Sequence, residues 1–580
     1  MNKLIKIPER NDIEKYISSI GNTPDMKTPE LKKEINNYLE RYESLKKKAI
    51  ELLNSSKKIL LYGDYDVDGC GAVTIMYKFL TALGKDVEVV IPNRSDGYGI
   101  NQKLFDKTKY DTLIFCDCGI ADVKNLKDIK NDNNNIIVID HHTENPEVNN
   151  YIDILFKPED INISSGGLSY LFTELLNQYY KKPYELLSPY ACLTQISDMM
   201  ELKGVGYTIA RLGFLQLQEN KNTNKILNKL LFNKNFSSED LAFSVIPVLN
   251  AASRMTENSK LLFEVLNNPS IDRISILQEA NKERKNIQSN TVKEIQNILS
   301  LIDESVSSDL DKAVVVPYKD NYIVAVKNKN SEKNLVSAVK EHIKNNKMLI
   351  VIQTGKTVIL VDNTGEVQHG LLGPIANELL SKFDTPVFVI SKTNGHYSGS
   401  SRSASASVYD ILKQTEDILG KKWGGHKAAA GFAIDENKLI PFLELLTSAT
   451  ETLEVQTDQT VKATFNYIDL SQDDIKLLNN LEPFDHTTRP TFGFCGIVTN
   501  KQTINDKLTK ITLLLKGNGP KELMLYNQPD IKVNKFYAFL TSKIDINNST
   551  IFVRDFSEHF KIENSDEMNN QPEQKRIKIN

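Results

Sequence analysis

Ile59-Leu60-Leu61-Tyr62 passes directly into Gly63-Asp64-Tyr65-Asp66-Val67-Asp68-Gly69, an apolar β-type run followed by three carboxylates at alternate positions. Acidic groups at the end of a buried strand are costly unless a cation neutralises them. The pattern recurs twice: Leu113-Ile114-Phe115 leads into Cys116-Asp117-Cys118-Gly119, and Ile136-Ile137-Val138-Ile139 leads into Asp140-His141-His142. In an open parallel α/β sheet the carboxyl ends of the strands line the ligand crevice, so groups distant in sequence can converge there. Taken singly, acidic residues after a strand are ordinary helix caps. Repetition at three strand ends favours a metal site, and Asp198, closing the largely apolar stretch 190–196, adds a fourth position. Mixed Asp and His ligation suits manganese or magnesium and could accept zinc. The arrangement predicts a two-metal hydrolytic site.

These residues resemble the DHH phosphoesterases, and specifically look like the RecJ-type single-strand-specific exonucleases of that family. Residues 64–69 match the first family motif, Asp117-Cys118-Gly119 the second, Asp140-His141-His142 the third and Asp198 the fourth. Pro92-Asn93-Arg94, Gly97-Tyr98-Gly99 and Leu249-Asn250-Ala251-Ala252-Ser253-Arg254-Met255 match as well. Gly399-Ser400-Ser401-Arg402-Ser403, Gly424-Gly425-His426 and Ala429-Ala430-Gly431 resemble the DHH-associated domain, and Leu481-Glu482-Pro483-Phe484 resembles the start of the oligonucleotide-binding module.

The resemblance implies two divalent cations, with manganese preferred over magnesium. It assigns Asp68, Asp117, His141 and Asp198 to one, and Asp66 with the bridging Asp117 to the other. His142 would stabilise developing charge, and Asp64 would orient ligands. Arg94, Arg254, Ser400 and Arg402 would form a pocket for a 5′-terminal phosphate. Asn250 would position substrate, and His426 would touch the sugar-phosphate backbone. One departure stands out: many members carry a His four residues before the middle Asp of the first motif, and this chain has Tyr62. A phenol is a poor ligand at neutral pH, so altered affinity at the second metal is expected.

The activity so implied is metal-dependent 5′-to-3′ hydrolysis of single-stranded DNA to 5′-mononucleotides, in DNA repair and recombination. Two alternatives share the motifs. A DHH phosphodiesterase for short oligonucleotides or cyclic dinucleotides would not need the β module after Pro483. A replication-associated scaffold of the same fold would be expected to lose ligand residues that this chain keeps.

The 580 residues, 40% of them hydrophobic, exceed a single core and predict several domains. Five cysteines without a C-x-x-C pair argue against a disulfide framework or a zinc ribbon. No run of eighteen apolar residues could span a membrane. A cytoplasmic protein without membrane contact is expected, a nuclear one being left open. A net charge of −4 gives no global attraction for phosphate, so recognition must rest on local groups. Expected partners are single-stranded nucleic acid, DNA favoured, and a single-strand-binding protein or helicase.

The predicted fold class is α/β: a parallel-sheet DHH domain, a long helical connector, a smaller α/β DHH-associated domain, and a β-barrel module of oligonucleotide-binding type. Boundaries are placed at 1–55 for an N-terminal helical extension, 56–256 for the catalytic domain and 257–308 for the connector. The DHH-associated domain follows at 309–450, the five-stranded β module at 451–562 and a disordered tail at 563–580. Arg284 and Lys285 are expected to touch the nucleic acid strand. The segments 399–403 and 424–431 read as Gly-rich loops offering backbone N–H groups, the second opening a helix.

Overall fold

The protein is described by a computed structural model. It covers residues 4–20, 26–158, 162–231, 236–305, 314–318, 321–328, 348–354, 356–383, 385–393, 395–420, 422–425, 427–451, 460–505, 508–515, 519–526, 531–542, 550–553, 555–558 and 560–563. The chain forms two compact units. The first comprises residues 1–253, 257–277 and 458–577, and the second comprises 254–256, 278–457 and 578–580.

The opening motif ends a central strand of the first unit. Strands Asp86–Val90, Lys58–Gly63, Thr112–Cys116, Asn135–Ile139 and Ile154–Phe156 lie side by side in that order, all parallel. The nearly continuous apolar character of the three central strands follows from burial on both faces, whereas the edge strand Asp86–Val90 exposes Asp86 and Glu88. Ile59, Leu61, Ile114, Ile137 and Ile139 point into one core, where helices Val67–Ala82 and Ser165–Tyr180 pack. Leu60, Tyr62, Leu113, Phe115, Ile136 and Val138 point into the other. Each such side chain contributes roughly 1.5–3 kcal/mol by leaving water. Helices Ser188–Ser197, Gly204–Gln216 and Lys221–Leu230 complete the helical layer expected over 166–232.

The expected long helical connector is present as helix Ile271–Ser305, which is shared between the two units. Helix Lys260–Asn267 and the start of helix Ile271–Ser305 bury Leu261, Leu262, Val265, Leu266, Ile274 and Leu277 in the first unit's core. From Gln278 onward the long helix belongs to the second unit. Arg284 is buried there, donating within its own helix to Asn281 Oδ1 at 3.0 Å and to Gln288 Oε1 at 2.7 Å, so its guanidinium is engaged by that helix and not displayed on the surface.

The N-terminal stretch 1–55 is only partly a helical extension. Helices Thr28–Leu39 and Glu43–Ser55 cover the catalytic sheet through Leu31, Ile35, Leu39, Ala49 and Leu53. Strand Leu4–Pro8, in contrast, lies between Thr460–Lys462 and Phe560–Glu563, parallel to both. Helix Ile13–Ile20 buries Tyr16 and Ile20 against Phe465, Leu478, Phe484 and Phe492. Both therefore belong to the C-terminal β module. That module holds a mainly antiparallel seven-stranded sheet built around Phe492–Asn505 and Leu508–Leu515. Strands Pro520–Tyr526 and Asp555–Ser557 take it past the five expected. The tail beyond 563 lies outside the described residues.

The second unit contains an eight-stranded mixed sheet ordered Trp423–Gly425, Ala429–Asp435, His396–Arg402, Val387–Thr393, Val358–Asp362, Met348–Thr354, Asn321–Asn328 and Val314–Tyr318. Two expectations are corrected here. Residues 399–402 are not a loop: Ser400 is paired with Val389 on one side and Gly431 on the other, so the backbone N–H groups serve the ladder and not a phosphate. Residues 429–431 open a strand, not a helix, and form a hairpin with Trp423–Gly425. His426 lies outside the described residues.

Candidate metal centre

Each strand end delivers its carboxylate by a different local device. Asp66 caps helix Val67–Ala82, accepting from Asp68 N–H at 2.9 Å and Gly69 N–H at 3.2 Å, which exploits the positive end of the helix. Asp68 is buried in the first turn of that helix. Its two oxygens accept from the backbone N–H groups of Ser165 and Gly166, both at 2.8 Å, at the start of helix Ser165–Tyr180. That approach needs glycine at 166, because a Cβ there would stand 2.4 Å from Thr194. Asp117 follows its strand with φ +62°, a left-handed conformation that Asp tolerates better than most residues. Its Oδ1 accepts from Ser165 Oγ at 2.9 Å.

The histidines complete the cluster. His141 Nε2 stands 3.4 Å from Asp198 Oδ2, 3.6 Å from Asp117 Oδ1 and 3.8 Å from Asp68 Oδ2. His142 Nδ1 lies 2.7 Å from Asp140 Oδ1 and 3.1 Å from the Tyr98 hydroxyl, which leaves Nε2 as the ring nitrogen outside this pair of contacts. Among the described residues, three groups could each hold a cation: Asp68, His141 and Asp198; Asp117, His141 and His142; and Asp64, Asp66 and Asp117, the ligand atoms within each lying inside 4.8 Å.

The electrostatics fit a cation. Burial and the neighbouring Asp66 push the Asp68 carboxyl up to about 7. Burial together with Asp68 and Asp66 pushes Asp198 up to about 8. Asp64 and Asp117 are driven well upward by burial and by the same crowding. Burial alone would also raise Asp140, but the hydrogen bonds and charge of His142 hold it below the usual carboxylate range. For His142, burial opposes the charge, yet Asp140, Asp198 and Asp68 raise the imidazolium to about 9. Asp64 Oδ1 is buried without a hydrogen-bond partner. An orphan carboxylate oxygen beside two other carboxylates is what a hard divalent ion satisfies, and the oxygen and nitrogen donor set fits manganese or magnesium.

Tyr62 is fully buried between Phe105 and Phe115. Its hydroxyl donates to Gly99 O and accepts from Asn101 N–H, both at 3.0 Å. The phenol is thus committed to the 99–101 turn. Asn250 Oδ1 accepts from Val67 N–H at 3.1 Å, bracing the first motif. The Arg94 guanidinium stacks over Tyr65 at 4.2 Å, with Nε buried and unpartnered.

In the second unit Arg402 donates to Ser400 Oγ at 2.9 Å and to Ser401 O at 2.8 Å, and Arg254 donates to Gly370 O at 3.1 Å. Gly373, in the first turn of helix Leu372–Phe383, leaves room for the Arg402 guanidinium, since a Cβ there would lie 2.7 Å from Nη2. Sequence reasoning passed over Ser165 and Gly166 and gave Asp64 only an orienting part. The run Ser164-Ser165-Gly166-Gly167, a capping serine followed by small residues, was the available signal.

Comparison with known proteins gives concordant results. Residues 58–196 match the DHH family, N-terminal domain, and residues 355–452 match the DHHA1 domain. The single-stranded-DNA-specific exonuclease RecJ of Thermus thermophilus is 26% identical over 394 residues, 67% of this chain and 51% of that protein. RecJ of Bacillus subtilis is 23% identical over 460 residues, 75% of this chain and 51% of that protein. The chain thus spans about half the length of these two curated relatives. The crystal structure of Thermus thermophilus RecJ in complex with Mn2+ shares the fold, with a TM-score of 0.68 at 18% identity, covering 97% of this chain and 80% of that one.

Proposed function

We propose that the chain is a RecJ-type member of the DHH family, a metal-dependent exonuclease that hydrolyses single-stranded DNA from the 5′ end to 5′-mononucleotides, in DNA repair and recombination. The observation that carries this reading is the convergence of Asp68, Asp117, His141 and Asp198 beside the unsatisfied Asp64 oxygen. Two divalent cations are assigned, manganese preferred. Asp68, Asp117, His141 and Asp198 would hold one, and Asp66, Asp117 and Asp64 would hold the other, which would make Asp64 a ligand instead of an orienting group. When bound, such ions supply a nucleophilic water at neutral pH and neutralise the phosphate.

The chain's own groups do the rest. Ser165 and Gly166 fix Asp68 so that its oxygens need no reorganisation on metal binding. His142, held cationic by Asp140, presents Nε2 to the negative charge that builds on phosphoryl oxygens. Arg94 in the first unit, and Arg254, Ser400 and Arg402 in the second, are assigned contacts to the phosphates of the strand, including its 5′ end. In the β module, Leu514, Ile497 and Phe536 sit in register across three strands and are exposed, with Phe560 stacked on Phe536 at 5.3 Å. Such an apolar strip suits stacking against bases.

Digestion of end-labelled single-stranded and double-stranded DNA and of RNA, with manganese, magnesium or chelator, tests the proposal. Mononucleotide release from 5′-labelled single-stranded DNA, dependent on metal, is expected. Release from the 3′ end first, or cleavage confined to dinucleotides, would replace it with another DHH activity.

A further inference from the structure

The segment carrying Asp198 is fixed at both ends, and one of the fixing groups comes from the C-terminal module. Helix Ser188–Ser197 ends in a Schellman turn, with Met199 N–H donating to Ile196 O and Met200 N–H donating to Gln195 O, each at 3.2 Å. Met199 takes the left-handed position at φ +55° although it has a side chain. This turn sets where Asp198 leaves the helix but not where the next residues go. Those are held by Leu202, buried with Tyr207 and Ala210, whose backbone N–H donates to Asp485 Oδ2 at 2.6 Å.

Asp485 is itself rigid. Its Oδ1 accepts from Thr487 N–H at 2.6 Å, Thr487 Oγ1 at 2.8 Å and Thr488 N–H at 2.7 Å. The surrounding contacts anchor the same stretch to the catalytic layer. Glu482 Oε2 accepts from Ser238 N–H at 3.0 Å, Tyr207 donates to Leu481 O at 3.3 Å, and Arg489 donates to Ser238 Oγ at 2.7 Å. Of these groups, Asp485 is the one that reaches the backbone between Asp198 and helix Gly204–Gln216.

We propose that Asp485 is a positioning residue for Asp198, so that the C-terminal module completes the metal site as well as carrying a surface for the strand. The proposal rests on the assignment of Asp198 as a metal ligand. A group that orients a ligand from behind typically changes metal affinity by about ten- to a hundredfold when removed, without touching the ion.

Manganese binding to the full-length protein is measured by isothermal titration calorimetry for wild type, Asp485→Asn, Asp485→Ser, Thr487→Val and Asp198→Asn. Asn can still accept the turn hydrogen bonds through its carbonyl while losing the acceptor for Leu202. Ser keeps a short acceptor for the turn but cannot span to Leu202, and it decides the matter if the Asn variant does not fold. The expected result is manganese binding weakened about tenfold in the Asp485 variants and less in Thr487→Val, which removes only one of the three bonds that hold the Asp485 carboxylate. Folded Asp485 variants that bind manganese as wild type, while Asp198→Asn loses affinity, would overturn the positioning role alone. Unchanged binding in Asp198→Asn would instead overturn the ligand assignment beneath it.

Discussion

Ser165 Oγ donates to Asp117 Oδ1 at 2.9 Å, so the carboxylate assigned to bridge both metals is aimed by a residue outside every family motif. The same residue's backbone N–H holds Asp68. Ser165→Ala keeps the backbone contact and removes the hydroxyl. Manganese affinity is expected to fall about tenfold with folding retained, as checked by calorimetry and circular dichroism. Wild-type affinity would mean that Asp117 is positioned by its strand end alone.

Asp117→Asn should abolish hydrolysis while leaving the fold intact. Asn accepts the left-handed φ of +62°, and the charge removed is one of several crowded carboxylates. Turnover is expected to drop on the order of a thousandfold or more, and the metal-free protein should unfold at a higher temperature than wild type. Near-normal turnover in the folded variant would contradict a bridging role.

Metal-free stability should decline with pH. Asp68 and Asp198 titrate at about 7 and about 8 in the folded protein, against about 3.9 in an unfolded chain. A carboxyl whose folded pKa is raised contributes fully below its unfolded pKa, and that contribution is lost as pH rises through the folded one. Chelator-treated protein should therefore show a falling Tm from about pH 5 to pH 8, and saturating manganese should restore most at the high end. A Tm that is flat or rising across this window, with chelator present, would argue that the carboxylates are not crowded.

Arg402→Ala should impair degradation of 5′-phosphorylated strands more than that of 5′-hydroxyl strands. Loss of a charge-assisted hydrogen bond costs on the order of 1.5–3 kcal/mol, or roughly ten- to a hundredfold in binding. Gly373→Ala should act in the same direction by crowding Nη2. Equal losses on both substrates, erased by salt, would indicate general electrostatic attraction instead.

Tyr62→Phe should destabilise the protein by about 1–2 kcal/mol, since Asn101 N–H loses its acceptor in a buried setting. Manganese affinity should stay unchanged. A change in affinity without loss of stability would place the phenol nearer the metals than its hydrogen bonds imply.

The three central strands of the parallel sheet were legible because strands buried on both faces are continuous apolar runs, and each of the three ran into a carboxylate. Asp66, Asp68, Asp117 and His141 could be read in that way, and they lie with Asp198, which caps the end of helix Ser188–Ser197 and not a strand. Strand His396–Arg402 could not, since Gly399-Ser400-Ser401 has little β preference of its own. Its pairing comes from Val387–Thr393 and Ala429–Asp435 on either side. Tyr62 looked like a failed ligand because its spacing fits one, while its real partners, Gly99 and Asn101, leave no mark in the motif. Asp485 lies 283 positions from Leu202, and no local pattern announces such a bond.

Strand Leu4–Pro8 is flanked by Thr460–Lys462 and Phe560–Glu563, and this orders events during synthesis. Translated before both partners, it must wait for them, so the parallel sheet can assemble before the β module closes. Pairings that span so much sequence form slowly, and an apolar strand waiting unpaired is open to wrong partners. On this ordering, the nascent chain cannot acquire the bond between Asp485 and Leu202 until long after the strands that run into Asp66, Asp68, Asp117 and His141 have been made.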